Sequence, residues 1–406
     1  MTSTTPITAS PWTGRAQETE QQWLRLAAEV AAELNEGAAD RDRAGAGLEE
    51  ALALVRAAGL ADLIVPAEHG GRGAHWETAF GVLRHLAQAD ASLGLVVGYS
   101  YLNQACIGFY GEGERRAAWF RRTAERRWFW SDSLNPVSPD LRLTADGQAY
   151  RLTGRKRFAT GASAADVILA SAVAEGGAYD GQALVFAIDA RRDGVRHLDD
   201  WDHLGMRATA SGSVEYHDVL VTDEDVIGTD TGHPFSSIVT PGVQLLFGNL
   251  YLAVAQGALA TARTVTRARQ NAWFLSAADR YADDPLVHRL FGELVARTAA
   301  VEALADRLNR RYDDVVALGH AATWEDRARI EVEVAALKVV ATEVGLEVSA
   351  RVFEATGASA TSNRVGLDRF WRDVRTHSLH DPVDYKKVEV GAHFLNGTVQ
   401  PVSLYT

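Results

Sequence analysis

The sequence contains a single cysteine, Cys106, and only two methionines among its 406 residues. One cysteine excludes an internal disulfide and any metal centre built from several thiolates. The apolar neighbourhood of Cys106, residues 101–110, predicts a buried thiol without a catalytic role. The chain also lacks the His-Glu-x-x-His pattern of zinc hydrolases, so we expect no bound metal ion.

Other missing patterns exclude further classes of protein. No Gly-x-Gly-x-x-Gly follows a strand, and the chain has neither a P-loop nor a Gly-x-Ser-x-Gly elbow. These absences argue against a Rossmann dehydrogenase, a P-loop NTPase and an α/β-hydrolase. The formal net charge of −12 argues against nucleic acid as a partner.

Targeting and membrane signals are also missing. Residues 1–15 are rich in Thr, Ser and Pro and have no apolar run, which predicts a flexible arm instead of a signal peptide. We expect that no apolar stretch reaches the length needed to span a bilayer. The sequence therefore predicts a cytoplasmic protein without a membrane partner.

Helical and strand patterns occupy separate parts of the chain. Apolar residues at helical spacing predict helices at 18–36, 40–58, 76–89, 91–110 and 114–126, and later at 243–270, 284–317, 324–356, 368–379 and 382–395. Between them, alternation with a period of two predicts strands at 128–133, 149–158, 166–173, 183–188, 195–198 and 213–221.

This order predicts an α+β fold, because helices and strands are segregated along the chain. We expect the flexible arm at 1–15, a helical domain at 16–127, a β domain at 128–230 and a helical bundle at 231–406. The regular short strands suggest that the β domain is a small barrel or sandwich.

Residues 154–161 (GRKRFATG) form the stretch with the clearest chemical potential. It reads as a strand ending in a turn, with Arg155 and Arg157 on an ionic face and Lys156 and Phe158 on a face that can be buried. Near its end, the Phe158 ring and the Thr160 hydroxyl suit a flat conjugated ligand with a polar edge. The residues alone also fit a plain edge strand with a solvated basic face, and taken alone they favour it.

Several motifs, in order along the chain, resemble the acyl-CoA dehydrogenase superfamily. Residues 57–73 (AAGLADLIVPAEHGGRG) resemble its N-terminal signature, and residues 154–161 resemble its central strand. Residues 204–207 (LGMR) and 262–273 resemble its next β segment and its long helix. The resemblance implies an N-terminal helical domain, a middle β-barrel domain and a C-terminal four-helix bundle. It also implies a homotetramer with flavin between the domains.

Residues 370–382 (FWRDVRTHSLHDP) and 41–45 (RDRAG) resemble the flavin-dependent monooxygenase branch of this superfamily. That resemblance implies a two-component enzyme that takes reduced FMN (FMNH2), with FAD as the alternative flavin, from a separate NAD(P)H:flavin reductase. The reduced flavin and O2 form a C4a-hydroperoxide, which oxygenates sulfur, nitrogen or an electron-rich ring of a small hydrophobic substrate. The substrate itself stays open.

The resemblance also assigns site residues. His380 and Thr160 are the implied catalytic hydrogen-bond donors, and His380 suits proton transfer because histidine titrates near neutral pH. His377 is predicted to be structural. The implied flavin contacts are Tyr99, Asp132, Ser133, Phe158, Thr160, Gly161 and Trp201, with Arg269 reaching a neighbouring subunit's flavin phosphate.

Two alternatives stay open. An FAD-dependent acyl-CoA dehydrogenase needs a carboxylate base, and Asp381 stands at the matching position. We prefer Asp381 as the N-cap of a helix that begins at Pro382, since both residue types suit those positions. The other alternative is a catalytically silent flavin-binding homologue.

Overall fold

The computed structural model describes residues 9–138 and 141–406, and its elements follow the predicted order of helices, strands and helices. Cys106 is buried, as expected, and burial raises the pKa of its thiol. The N-terminal helices are α1 Gln21–Ala44, α2 Leu48–Ala57, α3 Trp76–Ala89, α4 Ala91–Tyr110 and α5 Gly113–Arg126.

The predicted break between the first two helices is wrong. Helix α1 continues through Gly37 to Ala44, because one glycine inside a helix costs only about 1 kcal/mol. The helix ends where Gly45 adopts a left-handed conformation (φ 62°) and its N–H reaches the carbonyl of Arg41 at 2.8 Å.

The described part of the predicted flexible arm is packed instead. Trp12 is buried against Trp76, Phe109 and Phe120, and its indole N–H donates to the carbonyl of Ile64 at 2.8 Å. Arg15 pairs with Asp314. Burial of the large indole favours this packed arrangement of the arm. Residues 1–8 of the predicted arm lie outside the described residues.

The middle domain is a mixed sheet with the strand order β6-β7-β3-β2-β4-β5-β8, and β1 pairs in parallel with β4. Its end strands β6 and β8 do not pair with each other in the described chain, so the sheet does not close on itself. Two strands, β2 and β8, were not predicted, since β2 is largely polar and exposed and depends on pairing with β3. The strands are β1 Trp130–Asp132, β2 Arg142–Asp146, β3 Ala149–Lys156, β4 Val167–Glu175, β5 Ala183–Asp189, β6 Val195–His197, β7 Val214–Val221 and β8 Val226–Thr229.

The C-terminal bundle is built around α7, which packs against α3, α4, α8 and α9. Gly257 permits the close approach to α3, because a Cβ there would lie 2.3 Å from the carbonyl oxygen of Gln88. The helices are α6 Pro234–Ser237, α7 Val239–Ala268, α8 Pro285–Ala317, α9 Trp324–Thr356, α10 Asp368–His377 and α11 Val383–Asn396.

The expectation that no stretch has the length of a membrane span is wrong. Segment Pro234–Ala268 is long and apolar enough by length and composition alone. However, 94% of its most apolar window is buried inside the fold, which is the environment of a core helix.

The three domains meet at α10 of the C-terminal bundle, which contacts both the N-terminal helices and the middle domain. Arg372 pairs with Asp42 of α1, and the carboxylate of Asp373 accepts the backbone N–H of Met206 at 2.6 Å. Burial raises the pKa of Asp373 to about 7. Arg207 donates to the carbonyl of Asp42 at 2.9 Å. These bonds hold α10 against α1 and against the segment between β6 and β7.

Candidate active site

Helix α4 and strand β1 supply one wall of the candidate site. Tyr99 and Asn103 lie one turn apart on α4 and therefore share a face. Asn103 Nδ2 donates to Asp132 Oδ2 at 3.1 Å, and the backbone N–H of Trp130 donates to Ser100 Oγ at 3.0 Å. Burial raises the pKa of Asp132, and the nearby His380 opposes that rise.

The turn after α10 supplies His380. Its backbone N–H bonds the carbonyl of His377 at 2.9 Å, so the turn continues the helix tightly. Nδ1 lies 3.1 Å from Asp381 Oδ1, and because a carboxylate only accepts, Nδ1 carries the proton. Nε2 lies 3.5 Å from the Tyr99 hydroxyl. Burial raises the pKa of Tyr99 well above its usual value, so this hydroxyl stays protonated and can donate.

Asp381 is a buried ion-pair partner, and our preference for an N-cap is wrong. Helix α11 begins at Val383, and no side chain caps it. The carboxylate instead bonds Lys338 of α9 and His380. Burial acts to raise the pKa of Asp381, but the His380 hydrogen bond and the Lys338 charge together hold it well below the usual range.

Aromatic side chains surround this polar chain. The ring of Phe247 lies 4.6 Å from that of His377 and 4.9 Å from that of His380. Burial lowers the pKa of His377 well below its usual value, so the Tyr251 hydroxyl donates to its neutral Nδ1 at 2.9 Å. The ring of Tyr405 meets His380 from the other side, at 5.8 Å. His377 thus has its hydrogen bond inside the core, whereas His380 is one-third exposed.

Thr160 lies at a second edge of the site. Ser131 Oγ donates to the carbonyl of Thr160 at 2.7 Å, which ties this loop to β1 beside Asp132. Ser211 Oγ donates to Thr160 Oγ1 at 3.1 Å, leaving the threonine proton for another acceptor. Gly161 has φ +72°, and a Cβ there would lie 2.9 Å from Val96. The loop therefore approaches α4 as closely as its backbone allows.

Phe158 is not on a buried strand face, contrary to prediction. Strand β3 ends at Lys156, and Phe158 adopts φ 63° with 46% of its surface exposed. Its ring meets Trp201 at 6.2 Å, and Trp201 stacks on His203 at 3.7 Å. The three rings form an open aromatic surface next to the Thr160 loop.

Ser133 and Arg269 lie apart from these groups. The Ser133 hydroxyl bonds the buried Tyr216 hydroxyl at 2.6 Å, inside the β domain. Arg269 ends α7, where its guanidinium lies 3.7 Å over the Tyr281 ring and donates to the carbonyl of Thr356 at 3.3 Å. The predicted flavin contacts of these two residues stay predictions.

The residues at this junction fit a reduced flavin. The Thr160 hydroxyl proton suits a polar atom at the edge of the flavin ring, and the turn at Gly161 brings the backbone close to that ring. Trp201 offers an apolar face. His203 Nδ1 is buried beside Trp201 without a hydrogen-bond partner among the described residues. A cavity of about 130 Å³ adjoins the Thr160 loop at Ala162 and Trp201. A larger cavity of about 890 Å³ lies against residues 9–13 and shares no lining residue with the site.

Sequence reasoning missed the residues that support His380. Lys338 is the main one, joined by Asn103, Gln244, Phe247, Tyr251 and Tyr405. Lys338 did leave a signal, because it stands at helical spacing with Val334, Ala341 and Gly345, and that part of the face has no other charged residue. A lone lysine on such a face is rarely buried unless it is paired.

Family models match three consecutive parts of the chain. They are the acyl-CoA dehydrogenase N-terminal domain at residues 17–127, the middle domain at 132–219 and the C-terminal domain at 245–385. The chain belongs to the acyl-CoA dehydrogenase family. This confirms the predicted three-domain architecture and places the Tyr99–His380 pair between the N-terminal and C-terminal domains.

Within the family, the chain is similar to monooxygenases. It is 37% identical to a dibenzothiophene monooxygenase of Mycolicibacterium goodii, over 92% of this chain and 93% of that protein. It is 36% identical to a Pseudomonas putida protein named "Probable FMNH2-dependent monooxygenase SfnC", over 94% of this chain and 97% of that one.

Solved structures agree with these sequence matches. FMN-bound TdsC of a Paenibacillus species has a TM-score of 0.90 at 35% identity, covering 95% of this chain and 100% of that one. Methanesulfinate monooxygenase MsuC of Pseudomonas fluorescens has a TM-score of 0.90 at 33% identity, covering 94% and 99%. These relatives confirm the predicted enzyme class, a flavin-dependent monooxygenase of the acyl-CoA dehydrogenase family, and the predicted cofactor, FMN.

Proposed function

We propose that this protein is the oxygenase of a two-component system, using reduced FMN and O2 to oxygenate a small hydrophobic substrate. The observation that carries the proposal is the hydrogen-bonded chain from Tyr99 through His380 and Asp381 to Lys338. It presents a histidine with a fixed tautomer near Asp132, and the adjacent Ser131 holds the loop that suits a flavin edge.

The dehydrogenase alternative needs a carboxylate that takes a proton from carbon. A carboxylate serves as such a base when its pKa is raised toward neutrality. Asp381 has the opposite environment, because Lys338 and His380 hold its pKa well below the usual range. Its pairing with Lys338 therefore argues against an acyl-CoA dehydrogenase.

Reduced flavin bound here would supply the two electrons that activate O2, and O2 would supply the oxygen atom that is transferred. The chain's own residues would bind and orient the flavin, and they would transfer protons. The Thr160 hydroxyl would donate a hydrogen bond to the edge of the flavin ring, and Trp201 would cover one of its faces. The Tyr99 hydroxyl donates toward His380 Nε2, and His380 gives and retrieves a proton at that nitrogen. Phe247 and Tyr405 cover part of the imidazole and limit its contact with water, which strengthens these hydrogen bonds.

The apolar rings near Thr160 support a small hydrophobic substrate, and the sulfur, nitrogen or ring atom that is oxygenated remains open. Reduced FMN has to come from a separate NAD(P)H:flavin reductase, and both proteins would work in the cytoplasm. We also propose a homotetramer. Exposed apolar side chains on α11 support it, namely Tyr385, Val388, Phe394 and Leu395.

The test combines purified protein with NADH, FMN, a flavin reductase and either dibenzothiophene or indole as probe. We expect oxygenated product and O2 uptake only when the reductase is present. A tightly bound yellow FAD that bleaches with an acyl-CoA would instead identify a dehydrogenase. Absence of flavin binding in both redox states would identify a silent homologue.

A further inference from the structure

Lys338 carries a fully buried ammonium group next to the candidate site. Its side chain is 0% exposed, and its Nζ bonds Asp381 Oδ1 and lies 2.7 Å from Gln244 Oε1. It also lies 5.1 Å from the centre of the Phe247 ring, within range of a cation–π contact. Two of these three partners, Asp381 and Phe247, also contact His380.

One oxygen atom joins Lys338 to His380. Asp381 Oδ1 accepts a hydrogen bond from Lys338 Nζ and another from His380 Nδ1. A carboxylate without a cation would favour the charged imidazolium, because opposite charges within about 4–6 Å stabilise each other. The ammonium on the far side of the same carboxylate offsets that attraction while leaving the hydrogen bond to Nδ1 in place.

We propose that Lys338 is a positioning residue that acts on His380 through Asp381. It keeps the carboxylate in place to hold the Nδ1–H tautomer, and it prevents that carboxylate from locking His380 as an imidazolium. Nε2 is thereby kept able to exchange a proton at the site. This role rests on the proposed function of His380.

Other titratable or charged groups face His380 from the surrounding elements, and any pH dependence must account for them. None of these groups shares an oxygen atom with the imidazole as Lys338 does. They are Tyr99 on α4, Asp132 on β1, Tyr251 on α7, His377 on α10 and Tyr405 in the C-terminal segment, with Lys386 and Glu389 of α11 farther behind Lys338.

The test removes the charges of Lys338 and Asp381 singly and together, and it follows the titration of His380 by NMR in the protein without flavin. Histidine labelled with ¹³C at Cε1 gives one signal per ring, and His380→Gln assigns the signal of interest. In Lys338→Met, we expect the titration midpoint of His380 to move up by about one to three pH units, the usual effect of a close unpaired charge. In Asp381→Asn it should move down. In the double variant it should return to within roughly half a unit, because the two charges are removed together.

The cycle remains informative if Lys338→Met does not fold, since removing one partner of a buried pair is the more damaging change. The double variant is then compared with Asp381→Asn, and its midpoint should lie higher. Lys386→Met is the matched control, because Lys386 is a second buried lysine that bonds Glu389 and the carbonyl of Tyr405 instead of Asp381. It should leave the His380 midpoint in place.

Equal midpoints in wild type and Lys338→Met, or an equal shift in Lys386→Met, would overturn the proposal. Product formed per O2 consumed, measured on the same variants with reduced FMN, separates this proposal from the proposed function. If the midpoints follow the cycle but His380→Gln keeps full product yield, the coupling stands and the catalytic role of His380 fails.

Discussion

Replacing His380 by alanine is the most direct test of the site. The change removes the proton-exchanging nitrogen and the hydrogen bond from Nδ1 to Asp381. Loss of a positioned acid–base group lowers a rate by about 10²–10⁴-fold. Loss of one hydrogen bond to a charged group costs about 1.5–3 kcal/mol of stability. We expect the lower end, because Lys338 still pairs with Asp381.

Three measurements on His380→Ala check this reasoning. Product should fall by the stated factor while O2 is still consumed and hydrogen peroxide is released. Binding of reduced FMN should change little, since the described contacts of His380 are with Tyr99, Asp381, Phe247, His377 and Tyr405. His217→Ala, at an exposed histidine on β7, is the control. An unchanged ratio of product to O2 in His380→Ala would refute the role.

Four further predictions follow from other parts of the fold. Thr160→Val keeps the shape but removes the hydroxyl, and product formation should slow by about 10²-fold; a wild-type rate would mean that the flavin edge lies elsewhere. Arg269→Ala should weaken binding of reduced FMN by ~1.5–3 kcal/mol while the oligomer seen by light scattering persists; a wild-type monomer that binds FMN normally would exclude a shared site. Trp12→Ala should lower the free energy of unfolding by about 3–5 kcal/mol, whereas a flexible arm would show no change on denaturant titration. The pair of Glu20 and His75 should stabilise the fold most between pH 4.5 and 6.5. The pKa of Glu20 is lowered from 4.5 to about 2, and that of His75 is raised from 6.5 to about 9. Burial opposes both shifts, and the hydrogen bond between the two side chains is their chief cause. Its contribution is lost as the pH rises through 9 or falls through 2, so the gap in unfolding midpoint between wild type and Glu20→Gln should shrink at both extremes.

Local signals predicted much of the fold. Helices α3, α4 and α9 match their predicted bounds, because apolar spacing and their terminal residues both act within a few positions along the chain. Asp90 caps α4 by accepting the N–H of Leu93, and Thr323 forms a capping box with Asp326 at the start of α9. The motif at 370–382 led to the correct enzyme class before any contact was known.

The sequence by itself therefore determined the order of helices and strands, the family and the enzyme class, and it predicted His380 as a site residue. Only the tertiary structure decided which partners His380 has. Lys338 and Asp381 are 43 residues apart, and Asn103 and Asp132 are 29 apart, so no local period relates them. Trp12 reads as part of a polar arm until α3, α4 and α5 provide the pocket that buries it. Such pairings depend on the free energy of burying charges and rings together, which exists only once distant segments have met.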